Sequence, residues 1–80
     1  MFIKVKNNSI LEELSIILKK NFNIRTKINV ETILSDLKEW DSLKQLDFIM
    51  IIEKKFKIKF QLTEMFKLKK IKEFITIIKK

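Results

Sequence analysis

Not one of the 80 residues is glycine or proline. Those two residue types are the strongest local punctuation a chain has, so element boundaries here must be read from capping residues and changes of apolar period. Ser9-Ile10-Leu11-Glu12 has the form of a capping box, in which a hydroxyl and a carboxylate satisfy the first unpaired amides of a helix. Ile10, Leu14, Ile17 and Leu18 then recur at helical spacing, which predicts a first helix over residues 9–20 behind an N-terminal extension, 1–8. Residues 21–41 lose that period and are rich in Asn, Thr and Ser, with Phe22, Ile28, Val30, Ile33, Leu34 and Leu37 as apolar anchors. They read as a long loop with a turn of helix near residues 31–34, and long ordered loops are more often functional than idle.

A second helical register begins at Ser42, with Leu46, Ile49, Ile52 and Phe56 on one face, and predicts a helix over residues 42–56. Lys57-Ile58-Lys59-Phe60 alternates as a short strand would, but only Phe2 to Lys6 could pair with it, too little for a sheet. Thr63 can cap a brief third helix over residues 63–67. Ile71, Phe74, Ile75 and Ile78 mark a fourth over 70–79, ending in lysines that suit the negative end of a helix dipole. The expectation is a single all-α domain: a four-helix bundle of three main helices and one short one, with a long connection between the first two.

Composition narrows the chemistry. A chain this short closes one core, and its 46% apolar content includes no Ala, Gly or Cys, so the core residues are bulky. Without Cys or His there is no disulfide framework, no usual zinc ligand set, and neither a thiolate nor an imidazole base. Enzymatic activity is not expected, and any thiol chemistry must be imported on a prosthetic group. The opening residues lack a signal-peptide pattern, and the longest apolar run, Phe48 to Ile52, cannot span a bilayer, so a cytoplasmic protein without stable membrane insertion is expected. The net charge of +8 comes almost wholly from Lys, with Arg25 the sole arginine, a pattern as consistent with compositional drift as with a selected binding face.

The sharpest local feature is Asp41-Ser42-Leu43, a serine behind an acid at the start of a strongly apolar helix. Ser42-Leu43-Lys44-Gln45 also fits a capping box, so Ser42 can be read as an ordinary N-cap. The wider pattern resembles the acyl carrier protein family. Asp36-Leu37 upstream, then Leu46-Asp47-Phe48, Met50, Ile52-Glu53 and Phe56 without a gap, continue through Phe60, Leu68, Ile71 and Ile75, so the likeness covers roughly residues 36–78. Trp40 directly before Asp41-Ser42-Leu43 is similar to discrete, single-domain carriers, including those that carry amino acids.

The resemblance implies a carrier-type helical bundle and a 4'-phosphopantetheine arm, delivered from coenzyme A to Ser42 by a separate Mg²⁺-dependent phosphopantetheinyl transferase. Acyl or aminoacyl intermediates would ride on its thiol as thioesters, with Asp41 the acidic neighbour that helps the transferase place its metal. A helix N-terminus independently suits a phosphodiester, because unpaired amides and the dipole favour an anion. The resemblance also assigns the outer stripe of the second helix, Leu43, Asp47, Met50, Glu53 and Lys54, to contacts with loading and transferring enzymes, the chain itself being a monomer.

The sequence departs from the family in charge. Carriers of this type are typically acidic, whereas Lys44, Lys54 and Lys55 stand where carboxylates are common. Like charges suppress docking, so a dedicated biosynthetic pathway with adapted enzymes is expected over general fatty-acid synthesis. Met65 and Phe74 are bulky where long-chain carriers have small residues, which suggests short acyl, hydroxyacyl or aminoacyl cargo. The main competing reading is a small basic helical protein that binds nucleic acid; its lysines would then be clustered and joined by arginines, but they are scattered over every helix. A membrane-surface bundle with a basic amphipathic end from Phe74 to Lys80 is the remaining alternative.

Overall fold

The computed structural model describes residues 7–79. Four α-helices, α1 (Asn7–Phe22), α2 (Ser42–Phe56), α3 (Leu62–Met65) and α4 (Ile71–Lys79), form the bundle, with a 3₁₀ turn at Leu34–Asp36 in the long α1–α2 connection. Among the described residues there is no strand, only an isolated antiparallel bridge between Ile33 and Lys70. Among the described residues the regular structure is all helical, as the apolar periods predict. Phe2 to Lys6, the segment considered as a strand partner, lies outside the described residues.

The helix ends are set by side chains and left-handed residues that do the work of the missing glycines. Helix α1 is already formed at Asn7, so Ser9 sits inside its first turn and does not cap it. A serine three residues before a glutamate permits a cap there without forbidding an earlier start. At the other end, Asn21 Nδ2 donates to Ile17 O at 3.1 Å, Asn23 turns left-handed with φ 55°, and Ile24 N returns to Leu18 O at 3.3 Å. Asparagine tolerates that conformation better than most residues, which carries α1 to Phe22, beyond the expected residue 20.

Lys57, also left-handed, ends α2, and the Lys57 and Ile58 amides both point back to Glu53 O. The Glu53 side chain accepts from Phe60 N at 2.8 Å, so residues 57–60 wrap the helix end instead of extending as a strand. Helix α3 spans Leu62–Met65 in place of the expected 63–67, and its cap lies two residues before Thr63. Gln61 is its cap, with Gln61 N donating to Glu64 Oε1 at 3.1 Å.

Helix α2 packs against α1 and α3, and α1 also packs on α4. Ile10, Leu14, Ile17 and Leu18 of α1 are buried, as are Phe48, Ile49 and Ile52 of α2 and Ile71, Phe74 and Ile75 of α4. The buried stripe of α2 is rotated from the expected one: Leu46 and Phe56 are only half-buried, and Gln45 and Phe48 take the centre. An aromatic series runs through the interior, from Phe22 and Trp40 (centroids 5.2 Å apart) to Phe48, then Phe74 (5.3 Å) and Phe60 (6.2 Å). These rings are large, geometrically specific packing units, and they pin the long connection to the bundle through Trp40.

Candidate functional site

The long connection ends in a descending set of turns. Asp36 N bonds Ile33 O, Leu37 N bonds Leu34 O, and Trp40 N bonds Leu37 O, each at about 3 Å (3.0, 2.9 and 3.1 Å). Glu39 takes a left-handed conformation, φ 65°, to make the last corner. With the indole lodged against Phe22 and Phe48, the next two residues, Asp41 and Ser42, emerge at the surface as α2 starts.

Asp41 is the N-cap of α2. Its backbone is extended, and Oδ1 accepts from Lys44 N at 2.9 Å. The capping box read on Ser42 is therefore displaced by one residue, and the reason lies in Gln45. For a Ser42 box, the Gln45 side chain would have to reach back to the cap. Instead it is buried, accepts from Trp40 Nε1 at 3.0 Å, and donates to Met65 O and Leu68 O, both at 3.0 Å. One carboxamide thus ties the loop end, α2 and the α3–α4 connection together beneath the surface.

Ser42 is consequently the first helical residue and is exposed, with no hydrogen-bond partner for its hydroxyl among the described residues. The first amides of a helix lack intrahelical acceptors. Here Lys44 N is taken by the Asp41 side chain and Gln45 N by Asp41 O at 3.0 Å, while the Ser42 and Leu43 amides have no acceptor among the described residues. Lys44 folds its ammonium onto Glu39 O, beside the same corner. A shallow cleft of about 290 Å³ adjoins Ser42, lined by Trp40, Gln45, Phe66, Leu68 and Lys69.

Of the proposed contact stripe, Leu43 (66% exposed), Asp47, Met50 (55%) and Lys54 face solvent. Glu53 differs from them: the residue is half-buried and its carboxylate accepts from Phe60 N. A larger cleft of about 590 Å³ lies away from Ser42, between the end of α1 and α2, and Asp47, Met50, Glu53 and Lys54 all line it. Met65 is half-buried and Phe74 fully buried among aromatic neighbours.

Sequence reasoning missed two features here. Gln45 was legible as a polar residue in the i, i+3, i+4, i+7 series with Phe48, Ile49 and Ile52. Leu62, the first residue of short α3, and Phe66, just past its end, exposed at 76% and 55%, give no periodic signal because α3 has a single turn.

The phosphopantetheine attachment site family matches residues 12–78, nearly the whole helical domain. The chain belongs to this family. It is a phosphopantetheine-carrying carrier protein of the acyl carrier type, and 4'-phosphopantetheine is its covalently bound prosthetic group. No curated protein and no solved structure gives a significant match. The carrier's match begins within α1 and ends within α4, so the family likeness extends over the first helix, which the residue pattern alone reached only by periodicity. Among the described residues no helix is long and apolar enough to cross a membrane, and no cluster of three or more candidate metal-ligating side chains occurs.

Proposed function

We propose that Ser42 is the residue that bears the phosphopantetheine arm, and that the chain shuttles short acyl or aminoacyl groups between the enzymes of a dedicated pathway. One observation carries the reading: in a chain of this family, Ser42 is an exposed serine at the first position of a helix, with its hydroxyl uncommitted. Three other serines exist. Ser9 and Ser15 lie within α1, Ser9 in its first turn, and Ser35 in the 3₁₀ turn, and none is the first residue of an α-helix as described.

The residues around Ser42 suit the group. The Ser42 and Leu43 amides and the positive end of the α2 dipole favour a phosphodiester anion at that oxygen. Asp41 fixes the first turn by accepting from Lys44 N, and Ser42 Oγ has no partner among the described residues. The second carboxylate oxygen of Asp41 is the natural contact for the metal of the modifying transferase. When bound, the arm supplies a terminal thiol that holds cargo as a thioester, which the chain's own side chains lack. The carrier is thus a substrate and shuttle, not a catalyst, and acts as a cytoplasmic monomer.

Short cargo is favoured because Phe74 is packed against Phe48 and Phe60, at centroid distances of 5.3 and 6.2 Å, so aromatic rings occupy the interior. Leu43, Asp47, Met50 and Lys54 form the face met by partner enzymes, while Glu53 is retained for the fold. The test is co-expression with a broad-specificity phosphopantetheinyl transferase, followed by intact mass measurement of the wild type and Ser42→Ala. A phosphopantetheinyl increment on the wild type alone is expected; an equal increment on both proteins refutes Ser42. Loading a long acyl chain and finding it sequestered by NMR contradicts the short-cargo assignment.

A further inference from the structure

The carboxylates of this chain are largely consumed by its own fold. Asp41 caps α2, Glu53 holds Phe60 N, Glu64 holds Gln61 N, and Glu73 Oε1 accepts from both Lys69 N and Lys70 N. Glu13 pairs with Lys55, and Glu31 pairs with Lys70 and Lys72. Three lysines on or beside α2 have no such employment: among the described residues, Lys20, Lys54 and Lys59 make no ion pair, unlike Lys55. All three are exposed.

These lysines rim a groove. The 590 Å³ cleft is floored by Phe22, Met50, Ile51 and Ile58, and Lys54 and Lys59 stand on its edge. A neighbouring cleft shares Asn21, Ile51 and Lys54 with it and adds Ile16 (48% exposed), Ile17, Lys20 and Lys55, the last already paired with Glu13. The two make one apolar trough between the second half of α1 and the outer face of α2. Its exposed carboxylate is Asp47, since Glu53 is tied inward. Apolar floor and cationic rim together match the apolar ridge and acidic flanks of an amphipathic helix, the helix-in-groove mode of recognition. Opposite charges would steer that encounter, and the same lysines would repel a basic surface.

We propose that this α1–α2 trough docks an acidic partner, an amphipathic helix presenting apolar side chains flanked by carboxylates. The proposal rests on the carrier reading, because such a partner, seated over Asp47 and Met50, lies along the helix that begins with Ser42. It assigns the excess of lysine on this face a function, in place of compositional drift.

The test uses the full chain, ¹⁵N-labelled, before and after modification, with mass measurement recording which form is present. Two amphipathic helical peptides serve as probes, each with a leucine ridge, one flanked by glutamates and the other by lysines. The glutamate peptide is expected to shift resonances of Asn21, Met50, Ile51, Lys54, Ile58 and Lys59. Lys54→Glu with Lys59→Glu should weaken it about tenfold or more, as loss of electrostatic complementarity predicts. Lys27→Glu with Lys67→Glu has the same net charge and exposed sites elsewhere, and should weaken it less than about threefold, by long-range charge alone. Equal binding of the lysine peptide, equal loss in both double variants, or displacement by a single-stranded oligonucleotide that binds the same trough more tightly would overturn the proposal. A chain that binds the glutamate peptide in the trough but is never modified refutes the carrier reading alone. A modified chain that ignores the peptide refutes the trough alone.

Discussion

The N-termini of α2 and α4 are built from the same parts and finished in opposite ways. At α4 the amides are spent: Glu73 Oε1 takes Lys69 N (2.6 Å) and Lys70 N (3.0 Å), Ile71 N goes to Thr32 O, and Lys72 N goes to Val30 O. The long connection lies across that helix end, and Glu31 clamps Lys70 and Lys72 over it. At α2 the Asp41 side chain takes only Lys44 N and the Asp41 carbonyl takes Gln45 N, leaving Ser42 and Leu43 with amides that meet no acceptor among the described residues. That helix is steadied from below, by Gln45 and Trp40, rather than across its end. A helix start stitched to its neighbour has its donors satisfied, whereas one supported from beneath leaves a hydroxyl and two donors open among the described residues.

The largest stability effect should come from the support under α2. Gln45→Leu leaves Trp40 Nε1, Met65 O and Leu68 O without their partner, and because these groups are only partly buried, the low end of the roughly 1–3 kcal/mol for each unsatisfied group puts the loss at about 3 kcal/mol. Denaturant unfolding measures it, and a change below about 0.5 kcal/mol would mean α2 is held otherwise. Next is Glu73→Ala, which opens the α4 terminus and should cost about 1 kcal/mol, the typical value of a lost cap and reduced by solvent screening at an exposed site.

Asp41 separates capping from chemistry. Asp41→Ala should lose about 1 kcal/mol, and Asp41→Asn, an equally good cap, less than about 0.5 kcal/mol. Both should slow modification by the transferase if the carboxylate acts there, and unchanged rates for Asp41→Asn would confine Asp41 to capping. The smallest effect is in pH. Backbone amides of Lys69 and Lys70 hold the Glu73 carboxyl below its ordinary 4.5, and hydrogen bonds from Lys72 and Lys70 do the same for Glu31. A folded-state value below the unfolded one gives stability that is present above pH 4.5 and is lost as pH falls through the depressed values. Glu73→Gln should flatten that acid limb more than Glu31→Gln, as thermal melts between neutral pH and pH 3 would record. The reverse order would mean that the exposed ion pairs, not the buttressed terminus, govern it.

This contrast shows what the sequence could and could not reveal. The register of α1 and α4 was readable because Ile10, Leu14, Ile17, Leu18, Ile71, Phe74 and Ile75 repeat with the helix and are buried, whereas on α2 only Ile49 and Ile52 of the expected stripe are buried and Phe48 replaces Leu46 and Phe56 at its centre. The cap of α2 was not readable, because Asp and Ser side by side are equally good caps and the Ser-x-x-Gln spacing favours the wrong one. Only the tertiary pull on Gln45, from residues 20 and 23 positions away, decides between them. Residues 57–60 alternate like a strand, but the reach of Glu53 to Phe60 N is a contact that no local period encodes.

The central claim is that the open terminus, and no other serine position, receives the arm. Tandem mass spectrometry of the transferase-treated chain tests it most directly, by locating the phosphopantetheinyl group among Ser9, Ser15, Ser35 and Ser42. The account predicts one group per chain, on Ser42; the group on any other serine, or no group with any transferase, would contradict it.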